Sequence, residues 1–375
     1  MTTDSLTPQV PSLSWNPSVP GSVLGILRQG RRSIEARGVC GSSGIPVAAD
    51  TIFDLASVTK VVATTCVLHR LARVGKISLD DPVSRYLPWS PGPALTTVRT
   101  MAYHRAGLWE WQPLYLAETD PLTTIATLPL RYEPGAHRHY SDLGFMLLGL
   151  LVETVMGSSL DAAFTELIAR PLNLAHTGYA PVIQPSSAPV ILTKSGSPAA
   201  SPSSGSVASS GWGDTIEQQM VATSTPYPVL FHNPSFPWRT NETIGEANDG
   251  NAFHCFSGVA GHAGLFSCAD DLLTLLDSLS CEDPLWGDCT SIFADGPDEG
   301  QGFGWRTMLV RLDGETHQMV WHPGFTGCAV GLVPRAGFAI VLLTNRLLAD
   351  DPPTTTWLWE QALNHVDALS EWRIP

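Results

Sequence analysis

Ser57-Val58-Thr59-Lys60 sets a hydroxyl and an amine three positions apart, a spacing that puts both on one face of a helix. At a helix start the serine oxygen lies near backbone N–H groups without helical partners, which favour developing negative charge. A lysine buried beside it is expected to have a depressed pKa and to accept a proton. Together they describe an activated nucleophile. The chain has only three lysines, Lys60, Lys76 and Lys194, and Lys60 falls in its most apolar stretch, where lysine is rarely tolerated.

The surrounding pattern says how such a pair would be held. Residues 57–74 read as one helix, apolar on every side until His69 and stopped by Gly75. Residues 21–28 and 32–40 read as strands joined at Gln29-Gly30. Residues 81–180 suit helices broken by prolines, the strongest at 142–156, ended by Gly157, and at 160–168. Residues 269–279 return to helix. Strands are expected at 302–310, 318–322, 328–334 and 338–343, and a closing amphipathic helix at 354–372. The Ser-, Pro- and Ala-rich run 184–211 reads as a surface excursion.

Composition narrows the function classes. A formal net charge of −14 excludes the basic footprint of nucleic-acid binding and disfavours anionic lipid. A hydrophobic share of 43% supplies a sizeable core. No run approaches the ~20 apolar residues of a membrane span, and the first residues lack the charged and apolar regions of an export signal. The expected location is the cytoplasm. Seven scattered cysteines with no C-x-x-C suggest free thiols, with Cys281 and Cys289 able to pair. No metal-ligand spacing is evident, so no metal and no cofactor are expected; His137-Arg138-His139 reads as a polar loop.

The stretch Phe53-Asp54-Leu55-Ala56-Ser57-Val58-Thr59-Lys60 resembles the nucleophile segment of class C beta-lactamases, D-alanyl-D-alanine peptidases and their esterase relatives. Other segments resemble the same family in order: residues 101–108, Glu133-Pro134-Gly135 with 140–145, 258–267, and Trp321-His322-Pro323-Gly324-Phe325-Thr326-Gly327. The resemblance implies an α/β plus all-α fold of the beta-lactamase/transpeptidase type. Its antiparallel sheet would be built from both termini (residues 1–81 and 298–375) and flanked by helices, with a mainly helical insertion at 82–297. It implies that Ser57 attacks, that Tyr140 sits over it as base or as relay through Lys60, and that the Ser57 and Phe325 amides form an oxyanion hole. His322 and Gly324 would lie on an edge strand facing the cleft, with Asp142 and Gly324 contacting substrate. Asp249 and Asn251 line the cleft or serve a turn, while His104 and His262 brace loops.

Two residues depart from the family pattern. Asp142 stands where Asn is usual, and ionised Asp cannot donate a hydrogen bond. His322 stands where many relatives have Lys. Both point to a small ester as acyl donor. A beta-lactam or D-alanyl-D-alanine peptide, an acyltransferase reaction and a catalytically silent binding module are the alternatives.

Overall fold

The structure is a computed structural model and describes residues 19–89, 96–179, 206–280, 285–287, 289–366 and 368–374. Seven strands form its main sheet: β1 (Gly21–Arg28), β2 (Arg31–Gly38), β3 (Arg306–Leu312), β4 (Glu315–Pro323), β5 (Ala329–Val333), β6 (Phe338–Thr344) and β7 (Leu369–Arg373). Their order is β7-β3-β4-β5-β6-β1-β2, every pair antiparallel. β1 pairs with β6, Ser22 opposite Thr344, so the two ends of the chain share one sheet.

Strand alternation explains why β6 is buried throughout. Ala339, Val341 and Leu343 face the larger core, while Phe338, Ile340 and Leu342 face a second core. The larger core packs the nucleophile helix with α1 (Asp142–Met156) and α4 (Ala269–Ser280). The second core lies under α5 (Thr355–Asn364), whose Trp359 stacks on Trp321 of β4 with ring centres 5.8 Å apart. Between α1 and α4 come α2 (Thr215–Thr223) and α3 (Gly250–Phe256).

The expected helix at 57–74 is helical throughout but not uniform. A 3₁₀ turn at Ala56–Val58 leads to a π segment at Lys60–Thr65 and an α-helix at Cys66–Arg73. Gly75, at φ +72°, follows its last turn. His69 is buried too, its Nε2 lying 2.8 Å from the Trp286 carbonyl oxygen.

Three expectations are corrected. Residues 354–372 do not form one helix: α5 stops at Asn364 and the rest pairs with β3 as β7. Leu369 and Trp372 belong to the second core, while Ser370 and Glu371 are exposed. The excursion at 184–211 is described only from residue 206 onward, and that part is inside. Ser209, Ser210 and Gly211 are buried and pair with Thr243–Ile244, the Ser210 hydroxyl hydrogen-bonding the Thr243 hydroxyl. The strand carrying His322 is not an edge strand, because β4 lies between β3 and β5. However, β3 begins at Arg306 opposite Trp321, so His322 and Pro323 run past its end. Among the described residues no single helix is long and apolar enough to cross a membrane. Cys281, and with it the pairing to Cys289, lies outside the described residues, as do residues 1–18.

Candidate active site

The nucleophile is reached through a strained step. Ala56 has φ +44°, rare for a residue with a side chain, and Asp54 holds the turn by accepting the Ala56 N–H at 2.9 Å. Burial pushes the Asp54 carboxyl up to about 6, against the pull of its bonds from the Asn248 and Ala56 amides. Ser57 then opens onto the cleft while Lys60 is wholly buried behind it.

Lys60 Nζ donates to Ser57 Oγ at 2.9 Å and to the His262 carbonyl at 3.0 Å, and lies 2.7 Å from Asp142 Oδ1. Burial alone would lower its pKa, but Asp142 and Tyr140 outweigh burial and raise it. The expectation of a depressed, proton-accepting lysine is thereby overturned: the resting side chain is an ammonium held by a carboxylate. Asp142 comes to this place because Ser141 caps α1, accepting the Gly144 N–H at 3.1 Å. The His262 carbonyl is placed by a close glycine contact. A Cβ on Gly261 would stand 2.1 Å from the Phe145 carbonyl oxygen, so only glycine lets this loop reach α1 and the lysine.

Tyr140 covers the lysine, its ring centre 5.1 Å from Nζ, and its nearness helps raise the lysine pKa. His104 packs on the Tyr140 ring with centres 4.6 Å apart, and its Nδ1 accepts the Ser141 N–H at 3.0 Å. His322 approaches from the other side, ring centres 6.0 Å apart. It is 1% exposed and is not among the residues lining the cleft; its Nδ1 lies 2.8 Å from the Pro323 carbonyl oxygen. Burial, with Arg306 and Lys60 nearby, drives its pKa well down, so the ring is neutral. His262 Nε2 lies 2.9 Å from Asp249 Oδ1, and Asp249 also caps α3 by accepting the Ala252 N–H. Asn251 faces inward, bonding the Leu114 N–H and the Gln112 carbonyl.

The loop after β4 is drawn against Asp54 and Leu55, just before the nucleophile. Thr326 Oγ1 donates to the Asp54 carbonyl at 2.7 Å. A Cβ on Gly324 would lie 2.4 Å from the Leu55 carbonyl oxygen, so glycine is what allows the approach. This brings Phe325 to the wall that carries Ser57.

The resulting cleft holds about 730 Å³ and includes Ser57, Tyr140, Asp142, Asp249, Gly324 and Phe325 in its lining. Trp111, Ile216, Met220 and Tyr227 add apolar surface. Its acids are each engaged. Asp142 pairs with Lys60, and Asp249 is held at about 2 by His262 against the effect of burial. Glu217, bonded by the Tyr115 hydroxyl and the Gly250 N–H, is pushed by burial and by the Asp249 charge up to about 8. Arg306 and Arg346 also line the cleft, and neither forms an ion pair among the described residues.

The beta-lactamase family model matches residues 10–363. The chain belongs to the beta-lactamase family. It is 30% identical over 332 residues to a putative D-alanyl-D-alanine carboxypeptidase of Escherichia coli K12, covering 79% of this chain and 69% of that protein. It is 31% identical over 330 residues to an N-acetylmuramyl-L-alanine amidase of Bacillus subtilis 168, covering 79% and 68%. Among solved structures, a class C beta-lactamase of Rhodobacter sphaeroides superposes with TM-score 0.65 at 20% identity, covering 93% of this chain and 95% of that one. EstCE1, described as a hydrolase with promiscuous acyltransferase activity, gives 0.62 at 23% identity, covering 93% of each.

Within this family the chain is a serine-hydrolase relative whose two departures change meaning once placed. Asp142 is the counter-ion of Lys60 as well as a cleft residue. His322 packs beside Tyr140 and is not among the residues lining the cleft, and a second positive charge near Tyr140, after Lys60, comes from Arg306, 5.7 Å from its ring centre. Arg306, Glu217 and Arg346 were not among the residues singled out from sequence. An isolated arginine or glutamate carries no spacing signal; only the contact of Arg306 with β4, opposite Trp321, reveals it. Outside the cleft, His176, Cys268 and Asp271 bring ligand-type atoms within 4.8 Å of one another. Asp271 Oδ2 there already accepts from the His176 N–H and the Thr177 hydroxyl, and burial pushes the Cys268 thiol up to about 11.

Proposed function

We propose that this protein hydrolyses a small carboxylic ester through an acyl-enzyme on Ser57. The observation that carries the reading is the chain of contacts Ser57–Lys60–Asp142, at 2.9 and 2.7 Å, on the wall of the cleft. Ser57 Oγ attacks the ester carbonyl carbon. Its proton passes to Lys60 as Lys60 gives one of its own to Asp142, so the lysine stays charged and the carboxylate stores the proton. The carbonyl oxygen becomes an oxyanion received by the Ser57 and Phe325 amides. Collapse breaks the bond to the leaving oxygen, which takes the Tyr140 proton; Lys60 restores Tyr140 and Asp142 restores Lys60. Water then repeats the path, releasing the acid and returning Ser57 with its proton.

Two features favour an ester. The neutral, recessed His322 offers no charge to a substrate carboxylate, and Asp142 cannot donate to an amide carbonyl. An alkoxide or phenolate also leaves more easily than an amine. One observation favours a second reading, hydrolysis of a carboxylate-bearing peptide or beta-lactam: Arg306 supplies a cation beside Tyr140. Measuring kcat/KM for p-nitrophenyl butyrate, nitrocefin and a D-alanyl-D-alanine peptide at one pH decides between them. The ester is expected to lead; a tenfold lead for nitrocefin or the peptide would replace the first reading with the second.

A further inference from the structure

Beyond the cleft lies a second cavity of about 490 Å³. The two share Ile216, Gln219, Asn248, Phe325 and Arg346, so they adjoin: a first limb lined by Ser57 and a second limb that is not. Arg346 lines both. Its side chain follows directly on β6 and is 8% exposed. Nε donates to the Phe325 carbonyl and Nη1 to the Pro353 carbonyl, each at 2.9 Å. Nη2 donates to none of the described residues, and none of their carboxylates pairs with it. A buried guanidinium without a counter-ion is costly, and proteins ordinarily pair it. Its burial is deep enough to draw its pKa down to about 10. The one acid lining the second limb, Asp350, is exposed and makes no ion pair with Arg346.

We propose that the second limb is an acyl-group subsite in which Arg346 binds a carboxylate at the far end of the acyl chain. The direction follows from the chemistry of the first limb. The leaving group must depart beside Tyr140, which protonates it, and Tyr140, Asp142 and Arg306 line only the first limb. The second limb is therefore left for the other half of the substrate. The preferred donor is an ester of a dicarboxylic half-acid long enough to turn past Phe325. The assignment of acyl and leaving ends rests on the proposed acyl-enzyme reaction; the carboxylate site itself does not.

The test compares mono-p-nitrophenyl adipate with p-nitrophenyl hexanoate, equal in chain length and differing by the terminal carboxylate. The wild-type kcat/KM should favour the adipate by roughly tenfold or more, the scale of a charge-assisted pair. Arg346→Gln should abolish that preference and Arg346→Lys should keep much of it. Gln219→Glu adds a negative charge at an exposed position lining both limbs, and should also lower the ratio without touching Arg346. An Arg346→Gln enzyme slower on both esters but with an unchanged ratio would show that Arg346 only braces Phe325, and would overturn the proposal. A wild-type ratio near one would do the same. Calorimetric binding of adipamic acid and hexanamide to Ser57→Ala protein needs no turnover. Tighter binding of adipamic acid, lost in the Ser57→Ala/Arg346→Gln double variant, would uphold the subsite even if neither ester were cleaved; equal binding would sink it.

Discussion

Two buried cations in this fold have met opposite fates. Arg239 is fully spent: Asp214 accepts from its Nε at 3.0 Å, its Nη2 at 2.7 Å and its backbone N–H at 2.9 Å, and the guanidinium also reaches the Ala247 and Asn248 carbonyls. His254 Nε2 closes the cluster at 2.9 Å from Asp214. Lys60 is more deeply buried, its side chain 0% exposed against 14% for Arg239, yet one of its contacts is a serine hydroxyl that faces the cleft, and its carboxylate partner is 16% exposed where that of Arg239 is 0% exposed. The difference separates a brace from a machine. A cluster whose members satisfy only one another can hold a fold; one that keeps a contact for a reacting atom can do chemistry.

That contrast breaks first at Lys60. Lys60→Met should cut kcat on the preferred ester by about 10²-fold or more. The cost in stability should be modest, because water from the cleft can reach Asp142. Near-normal turnover would remove Lys60 from the proton path. Arg239→Met should show the reverse pattern. It takes the guanidinium away from the buried Asp214 Oδ1 and leaves only the residue-239 backbone N–H and His254 on Oδ2, and should destabilise the protein by about 3–5 kcal/mol in a denaturant titration. Turnover per folded molecule should change little. A loss below about 1 kcal/mol would mean that the cluster is not the brace it resembles.

A smaller effect sharpens the comparison from a third buried group. Glu217 has its pKa raised from 4.5 to about 8. Between these values the unfolded chain gives up this proton and the folded chain keeps it. Its contribution to stability is thus fully present below pH 4.5 and is lost as the pH climbs toward 8. Melting temperatures measured across that range should fall more steeply for the wild type than for Glu217→Gln. Parallel curves would show that Glu217 is ionised in the folded cleft.

Much of the site is legible in the sequence because local spacing specifies it. The serine and lysine share a helical face, the apolar run buries the lysine, and the strands at both ends mark a shared sheet. What escapes is set by contacts distant along the chain. The charge of Lys60 depends on Asp142, which α1 carries to it, so burial alone suggested the wrong direction. The terminal strand was hidden because Leu369 to Arg373 is too short for its alternation to stand out from a helical run. Residues 206–211 look like linker by composition, but Ser206 bonds Thr51, Val207 pairs with Ile52, and Ser209 to Gly211 pair with Thr243 and Ile244. His322 carries no sign in its own segment that β3 would end beside it and that Tyr140 would cover it.

The central claim is that Ser57 is the nucleophile. A fluorophosphonate probe makes a bond from phosphorus to the attacking oxygen and releases fluoride, so intact-mass spectrometry followed by peptide mapping locates that oxygen. One adduct is expected on Ser57 in the wild type, with slow formation in Lys60→Met and none in Ser57→Ala. Labelling of the Ser57→Ala protein at the wild-type rate, or a wild-type adduct mapped to another residue, would contradict it.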